Sequence, residues 1–339
     1  MLEDALSLVL SRYPSRVQPI SLIGGLGNAG GASGATLWHY RAAAGEMAVR
    51  AWPKDGPTLA RLEMIHGWLE ELAGLDVVPL PVPVPAADGR TVQRQDGRYW
   101  EVAPWLAGAP ELNVPPAAGR VQSAFAALAS VHRRLSGHGR QGASPGLRLR
   151  IQEVDALASG RLDALAAALE RSPAGDLVAM GERWVGLARA TIPGLLPSLR
   201  DAAQLRVPLQ PCLRDARPEH FLFDSDRLSG LIDFGAMGIE SVAADLACLV
   251  GQWFPADRSL RDLALAAYEH VRPLELSEAA LVDVFEDAGD LLIAGHWLGW
   301  HYLEHRRFED PGVVARGVAR GLQRLERLAA RTSSHGLIV

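Results

Sequence analysis

Two aspartates, Asp215 and Asp233, stand at the ends of one short stretch of chain. Between them, strand-like residues 221–223 and 228–232 flank a turn at Asp224-Ser225-Asp226, and a hairpin of this kind returns its two ends to each other. Two carboxylates at the ends of a hairpin suit phosphoryl transfer. One orients an attacking hydroxyl and accepts its proton, while the other holds a metal that bridges nucleotide phosphates. Arg217, two residues after Asp215, is placed to offset the charge of the transferred group. Asp224 and Asp226 read as ordinary turn formers.

Two other motifs compete for attention. Gly25-Leu-Gly27-Asn-Ala-Gly30 has the GxGxxG form after a strand, with Glu46 near the distance of a dinucleotide fingerprint. A helix should follow, yet residues 31–40 are glycine-rich and then β-like, which favours a glycine-rich hairpin covering phosphates. His301-Tyr-Leu-Glu304-His305 has the HxxEH form of an inverted zinc-peptidase motif. Trp297, Trp300 and Tyr302 around it fit better a helix packed in a core or lining an acceptor pocket.

The run Cys212-Leu-Arg-Asp-Ala-Arg-Pro-Glu-His220, followed by Ile232-Asp233-Phe234-Gly235, resembles the catalytic loop and metal-binding segment of protein kinases. With Asp245-Leu-Ala247 and Leu128-Ala-Ser-Val-His132, the longer context is similar to the aminoglycoside phosphotransferase and choline-kinase branch of that superfamily. The resemblance implies an α+β, protein-kinase-like two-lobed fold: a small antiparallel N-lobe with one helix over residues 1–104, and a mostly helical C-lobe over 105–339. The catalytic loop would span 212–224 and the metal-binding segment 231–235.

It further implies ATP as phosphoryl donor, Mg2+ (or Mn2+) as metal, and a small-molecule hydroxyl as acceptor. Residue by residue, Asp215 would be the base and Asp233 the metal ligand. Gly30, Gly31, Ser33 and Gly34 would cover the phosphates through backbone N–H groups. Arg50 would contact the α- and β-phosphates with Glu63 of the following helix as its partner, unless Glu70, Glu71 or no acid of that helix serves, and Glu101 to Ala103 would offer hinge backbone groups to the adenine. The acceptor would lie between the catalytic loop and the C-terminal helices, near the Trp297–His305 face, where Glu286, Asp287, Asp290 and Glu304 could bind a cationic acceptor but read equally as ordinary helix-surface charges.

Three positions depart from the family pattern. His220 stands where an asparagine is the second metal ligand, and imidazole suits Mn or Zn better than Mg2+. Leu213 replaces the histidine that props the loop, and Arg50 replaces a lysine, exchanging a compact ammonium for a planar fork. These departures keep a second reading open, a nucleotide-binding or inert pseudokinase.

Composition narrows the classes further. Of 34 basic residues only Lys54 is a lysine, and it lies between Pro53 and Asp55, so neither a Walker A loop nor an SxxK motif exists. A net charge of −5 argues against general nucleic-acid or membrane-surface binding. Two cysteines make no disulfide framework, and the N-terminus has no basic signal-peptide region, so the expected setting is the cytoplasm. No apolar run reaches the length of a membrane span. Oligomeric state is not legible.

These groups need elements to position them. Residues 17–23, 36–41 and 46–52 read as strands, and Pro57 opens a helix that Gly74 closes. Residues 77–85 read as a proline-rich edge strand, and 91–94 with 99–103 as a hairpin around residues 95–98. The rest is Ala/Leu/Arg-rich, with helices expected over about 116–136, 149–171, 176–190, 242–252, 258–271, 277–305 and 311–331, and a linker over 137–146.

Overall fold

A computed structural model describes residues 2–27, 34–74, 78–113, 115–308 and 310–335. They divide into two units. The first comprises Met1–His138, Arg217–Gly238 and Arg258–Pro273, and the second Gly139–Ala216, Ile239–Asp257 and Leu274–Val339. The expected boundary at residue 104 falls inside the first unit.

In the first unit, alternating apolar residues build an antiparallel sheet in the order β1-β2-β3-β5-β4. Its strands are β1 (Pro19–Gly27), β2 (Thr36–Ala42), β3 (Gly45–Ala51), β4 (Gln93–Gln95) and β5 (Arg98–Pro104). Tyr40, Val49, Trp100 and Val102 are fully buried on one face with Val9 of helix α1 (Leu2–Leu10). Helix α2 (Leu59–Leu72) starts at Thr58, whose Oγ1 accepts from the Arg61 amide at 3.3 Å. It buries Leu62 against Trp52 and Val92 in a second cluster.

The edge strand expected over 77–85 does not form across 78–85, the part that is described. Prolines at 79, 81, 83 and 85 remove alternate donors. What remains is a single bond to the sheet edge, from the Val84 amide to the Val102 carbonyl at 2.7 Å. A smaller sheet orders β10 (Arg227–Leu231), β9 (Phe221–Asp224) and β6 (Ala109–Pro110), the expected hairpin among them. Helices α3 (Ala118–Arg134) and α8 (Arg258–Val271) share a buried hydrogen bond between His132 Nδ1 and the Tyr268 hydroxyl at 2.8 Å.

The second unit holds β7 (Arg140–Gly142), β8 (Val207–Cys212) and β11 (Gly238–Glu240), with α4 (Pro145–Ala156), α5 (Leu162–Glu170), α6 (Asp176–Ala202), α7 (Val242–Trp253), α9 (Leu276–Leu298) and α10 (Val313–His335). Strand β8 and the continuation of α6 past residue 190 depart from the sequence expectation. Pro193 and Pro197 lie inside α6, yet Ile192, Leu195 and Leu199 stay buried along one face, so packing outweighs the lost donors. The long helix expected over 149–171 is broken by a kink within Leu157–Arg161, where Ser159 and Gly160 leave helical backbone angles, and the one expected over 277–305 ends in a π-helical turn at Gly299–Leu303. The expected linker instead contains β7 and the start of α4, capped by Ser144 Oγ, which accepts from the Leu147 amide at 3.0 Å.

Candidate active site

The first unit encloses a cavity of about 210 Å³. Its walls are mainly apolar, with Leu37 and Ala48 from the sheet, Leu222 and Ile232 from the smaller sheet and its continuation, and Trp105 and Leu106 after β5. The polar lining is confined to Arg50, His66, Glu101 and Asp233.

Those four groups form one connected cluster. The register of β3 on β5 places Arg50 opposite Glu101, and Arg50 Nη1 lies 3.6 Å from Glu101 Oε1. The same Nη1 lies 4.0 Å from Asp233 Oδ1. Glu101 Oε2 is 2.9 Å from His66 Nε2 and accepts from the Trp52 indole at 3.1 Å, while His66 Nδ1 is 2.7 Å from Thr91 Oγ1. Burial alone would raise the Glu101 carboxyl, but the His66 hydrogen bond, the Arg50 guanidinium and the Trp52 indole hold it below the ordinary carboxylate value. Glu101 is therefore an ionised anchor that orients Arg50. His66 and Trp52 were not singled out from sequence, because neither sits in a motif.

This cluster corrects two expectations. The partner of Arg50 is Glu101, and Glu63 of α2 is exposed. The hinge role expected of Glu101 and Ala103 also fails on backbone geometry. In an antiparallel ladder successive residues bond to opposite neighbours. Trp52 donates to the Tyr99 carbonyl, Trp105 to the Glu46 carbonyl, and Val102 accepts from the other side. The backbones of Glu101 and Ala103 are thus turned toward Arg50 and Ala48, their partners in β3.

Asp233 sits at φ +63°, a left-handed conformation that costs a non-glycine residue about 1 kcal/mol. Its neighbours hold it there. The Ile232 amide donates to the His220 carbonyl at 2.9 Å, and Leu231 to the Pro79 carbonyl at 3.1 Å. On the far side Arg61 of α2 donates to the carbonyls of Gly235 and Met237, at 3.3 and 3.1 Å. Gly235 packs so closely that a Cβ there would lie 2.8 Å from the Trp52 ring. The Asp233 side chain is nearly half exposed (47%), and its Oδ2 lies 3.6 Å from Nε2 of His220. His220 is buried, and its Nδ1 has no hydrogen-bond partner. A carboxylate oxygen and an imidazole nitrogen facing each other are a donor set that fits a divalent cation of borderline character.

Asp215 lies in the second unit, half-buried, and the exposed Arg217 opens the next segment of the first. The loop before Asp215 turns at Arg214, whose φ is +64°. Its prop is Asp245, a fully buried residue of α7 whose Oδ2 and Oδ1 accept from the amides of Leu213 and Arg214, each at 2.7 Å. A side chain from α7 therefore holds the loop that the histidine missing at Leu213 would otherwise brace. The Cys248 thiol, pushed up to about 11 mainly by burial and by Asp215 and Asp245 nearby, is no nucleophile at neutral pH.

Gly30, Gly31 and Ser33 lie outside the described residues. Gly34 follows them at φ +68°, and β1 and β2 pair antiparallel from Pro19↔Ala42 to Gly27↔Leu37. Among the described residues, the run's first glycines end β1, and 36–42 form β2 antiparallel to it, with no helix over 34–42. The HxxEH reading also fails. The helix ends at Leu303, His305 has φ +52°, and both Glu304 oxygens are paired with arginines, Arg161 and Arg306. Of the four acids weighed as acceptor contacts or surface charges, Asp287 and Asp290 are held by Arg331 and Arg324 of α10.

Comparison with known proteins agrees with this geometry. Residues 25–281 match the model of the phosphotransferase enzyme family, called APH. A homoserine kinase from Beijerinckia indica subsp. indica is 38% identical over 85 residues, which cover 24% of this chain and 26% of that protein. The chain thus spans about a quarter of that relative. An aminoglycoside phosphotransferase structure from Alicyclobacillus acidocaldarius superposes with a TM-score of 0.63 at 14% identity, covering 96% of this chain and 94% of that one. A microcompartment-associated aminopropanol kinase gives 0.62 at 19% identity, covering 99% of each chain. An amicoumacin kinase solved with AMP-PNP, Ca2+ and Ami gives 0.63 at 13% identity, covering 96% and 93%. These likenesses establish the expected α+β kinase-like fold.

Proposed function

Because the chain belongs to the phosphotransferase enzyme family, we propose that it transfers the γ-phosphoryl group of ATP to a hydroxyl of a small molecule. The observation that carries this reading is the polar cluster of Arg50, Glu101 and Asp233 in an otherwise apolar cavity. Apolar walls suit a flat base, and a fixed guanidinium beside a strained, accessible carboxylate suits the phosphate end. The names of two relatives, homoserine kinase and aminopropanol kinase, refer to small molecules that carry a hydroxyl.

In this reading Arg50, oriented by Glu101, contacts the α- and β-phosphates in place of a lysine. Gly30, Gly31, Ser33 and Gly34 cover the phosphates, and the adenine edge meets backbone groups after Pro104. Asp215 accepts the hydroxyl proton as the acceptor oxygen attacks the γ-phosphorus and ADP leaves, while Arg217 offsets the charge of the group in flight. Asp233 and His220 would hold the divalent cation, which when bound neutralises phosphate charge. The imidazole favours Mn2+ over Mg2+. Functionally, residues 1–104 serve as the nucleotide-covering lobe and 105–339 as the acceptor lobe, in a cytoplasmic setting that suits the two free thiols.

The departures at Arg50, Leu213 and His220 favour a pseudokinase as the alternative. The bonds from Asp245 to the loop, and the pairing of Arg50 with Glu101, weigh against it. Calorimetry with AMP-PNP and Mn2+ or Mg2+, followed by turnover of wild type and Asp215→Ala, separates the two. Turnover that falls by about a hundredfold or more in Asp215→Ala with nucleotide binding retained supports the kinase. Binding with no turnover across a broad acceptor panel marks a pseudokinase, and no nucleotide binding removes both.

A further inference from the structure

Helix α2 meets the polar cluster of the first unit's cavity at two points. Arg61 holds the carbonyls of Gly235 and Met237 that follow Asp233, and five residues later His66 reaches the cluster itself. The family resemblance implied an acid of this helix as the partner of Arg50. Here the acid comes from β5, as Glu101, and α2 presents an imidazole to that acid instead.

His66 is 6% exposed, and both of its ring nitrogens are engaged. An ionised carboxylate only accepts, so Nε2 carries the proton and donates to Glu101 Oε2 at 2.9 Å. Nδ1 meets Thr91 Oγ1 at 2.7 Å, and the hydroxyl can serve it as donor. The Trp52 indole donates to the same Oε2 at 3.1 Å. Two donors on one oxygen keep the carboxylate from rotating, so Oε1 stays turned to Arg50 at 3.6 Å.

That last distance has a chemical meaning. Arg50 Nη1 lies 3.6 Å from Glu101 Oε1 and 4.0 Å from Asp233 Oδ1, and both contacts are ion pairs longer than a hydrogen bond. Charge holds the guanidinium, as does the Trp52 ring, whose centroid is 5.0 Å from the guanidinium carbon. Neither contact uses the N–H groups that a phosphate would take. Such a hold requires Glu101 to stay ionised. Burial works against that charge, and the His66 hydrogen bond is the largest influence opposing burial, ahead of the Arg50 guanidinium.

We propose that His66 is a positioning residue for nucleotide phosphate binding: it pins Glu101 through Nε2, and Glu101 in turn aims Arg50. This rests on the kinase reading above and adds to it the residue on which the phosphate-contacting cation depends. A core histidine that merely stabilises the contact between helix and sheet is the competing role. That role predicts equal weakening of every ligand of the cavity, whereas a positioning role confines the loss to ligands that carry phosphate.

Calorimetry on the full chain tests this, with AMP-PNP and Mn2+ as one probe and adenosine as the other. His66→Leu is expected to weaken AMP-PNP by about tenfold and to leave adenosine affinity unchanged. His66→Gln, whose amide N–H can replace Nε2, should recover most of the loss. In an Arg50→Met background His66→Leu should weaken AMP-PNP no further, because the group it positions is gone. If His66→Leu is misfolded by circular dichroism, Thr91→Val carries the same cycle, with an expected loss of about threefold. Unchanged AMP-PNP affinity, an equal loss for adenosine, or the same loss with and without Arg50 overturns the proposal and leaves the kinase reading standing. A wild-type chain that fails to bind AMP-PNP overturns both.

Discussion

Asp245 and Arg214 are joined by a 2.7 Å hydrogen bond from the Arg214 amide to Oδ1, at a residue turned to φ +64°. With the second bond from Leu213 to Oδ2, the buried carboxylate fixes the backbone one residue before Asp215. Charge-assisted bonds of this kind each contribute about 1.5–3 kcal/mol.

Asp245→Asn replaces one accepting oxygen with an NH2 group that faces an amide donor. Its melting temperature is expected to fall, and kcat to drop by about tenfold or more while nucleotide affinity stays unchanged. An unchanged kcat in a stably folded variant would mean that the loop does not depend on this prop. Arg214→Gly removes the steric cost of the left-handed turn, about 1 kcal/mol, and should raise the melting temperature. A fall would show that the exposed arginine side chain matters more than the backbone.

Glu101 makes stability depend on pH. Its folded value is depressed, so its contribution is present above the unfolded carboxylate value of about 4.3 and is lost as pH falls through the folded value. Glu101→Gln is therefore expected to melt below wild type at pH 7, and the gap should close as pH is lowered below about 4. Thermal melts across pH check this, and a gap of constant size would assign the effect to packing alone.

His220→Asn substitutes an amide oxygen for the imidazole beside Asp233. Nucleotide affinity supported by Mg2+ is expected to rise relative to that supported by Mn2+, by about threefold or more. Calorimetry in each metal measures the ratio directly, and an unchanged ratio places His220 outside the metal's coordination.

Asp287 on α9 is shifted the other way. Burial raises its carboxyl to about 6, Asp290 adds to the rise, and the Arg331 guanidinium only partly offsets it. A raised folded value means that the stabilising form is the protonated one, lost as pH rises through about 6. Asp287→Asn should therefore raise the melting temperature at pH 8 and leave it unchanged near pH 4. Because the side chain is 32% exposed, solvent screening reduces the gain to about 1 kcal/mol. Equal effects at both pH values would contradict the titration.

Local patterns were legible wherever the chemistry is carried by neighbours in the chain. The hairpin between Asp215 and Asp233, the strands of the first sheet and most helices follow from periodicity and turn residues. Residues 78–85 misled because Val-Pro alternation looks like a strand, while a ladder needs the donors that proline lacks. The kink within 157–161 and the π turn at 299–303 escaped because a local break in the helical ladder leaves the apolar pattern on either side nearly intact.

The sequence by itself pointed to the family, through two aspartates in their motif contexts, and to Arg50 as the cation to examine in a chain with a single lysine. Only the tertiary structure decided what those groups lean on. Glu101 meets Arg50 because the register between β3 and β5 sets it there, and Asp245 meets the loop before Asp215 because α7 packs beside β8. Both pairings join residues more than 30 positions apart, and partner choice at that distance is set by packing and strand register, which no local spacing encodes.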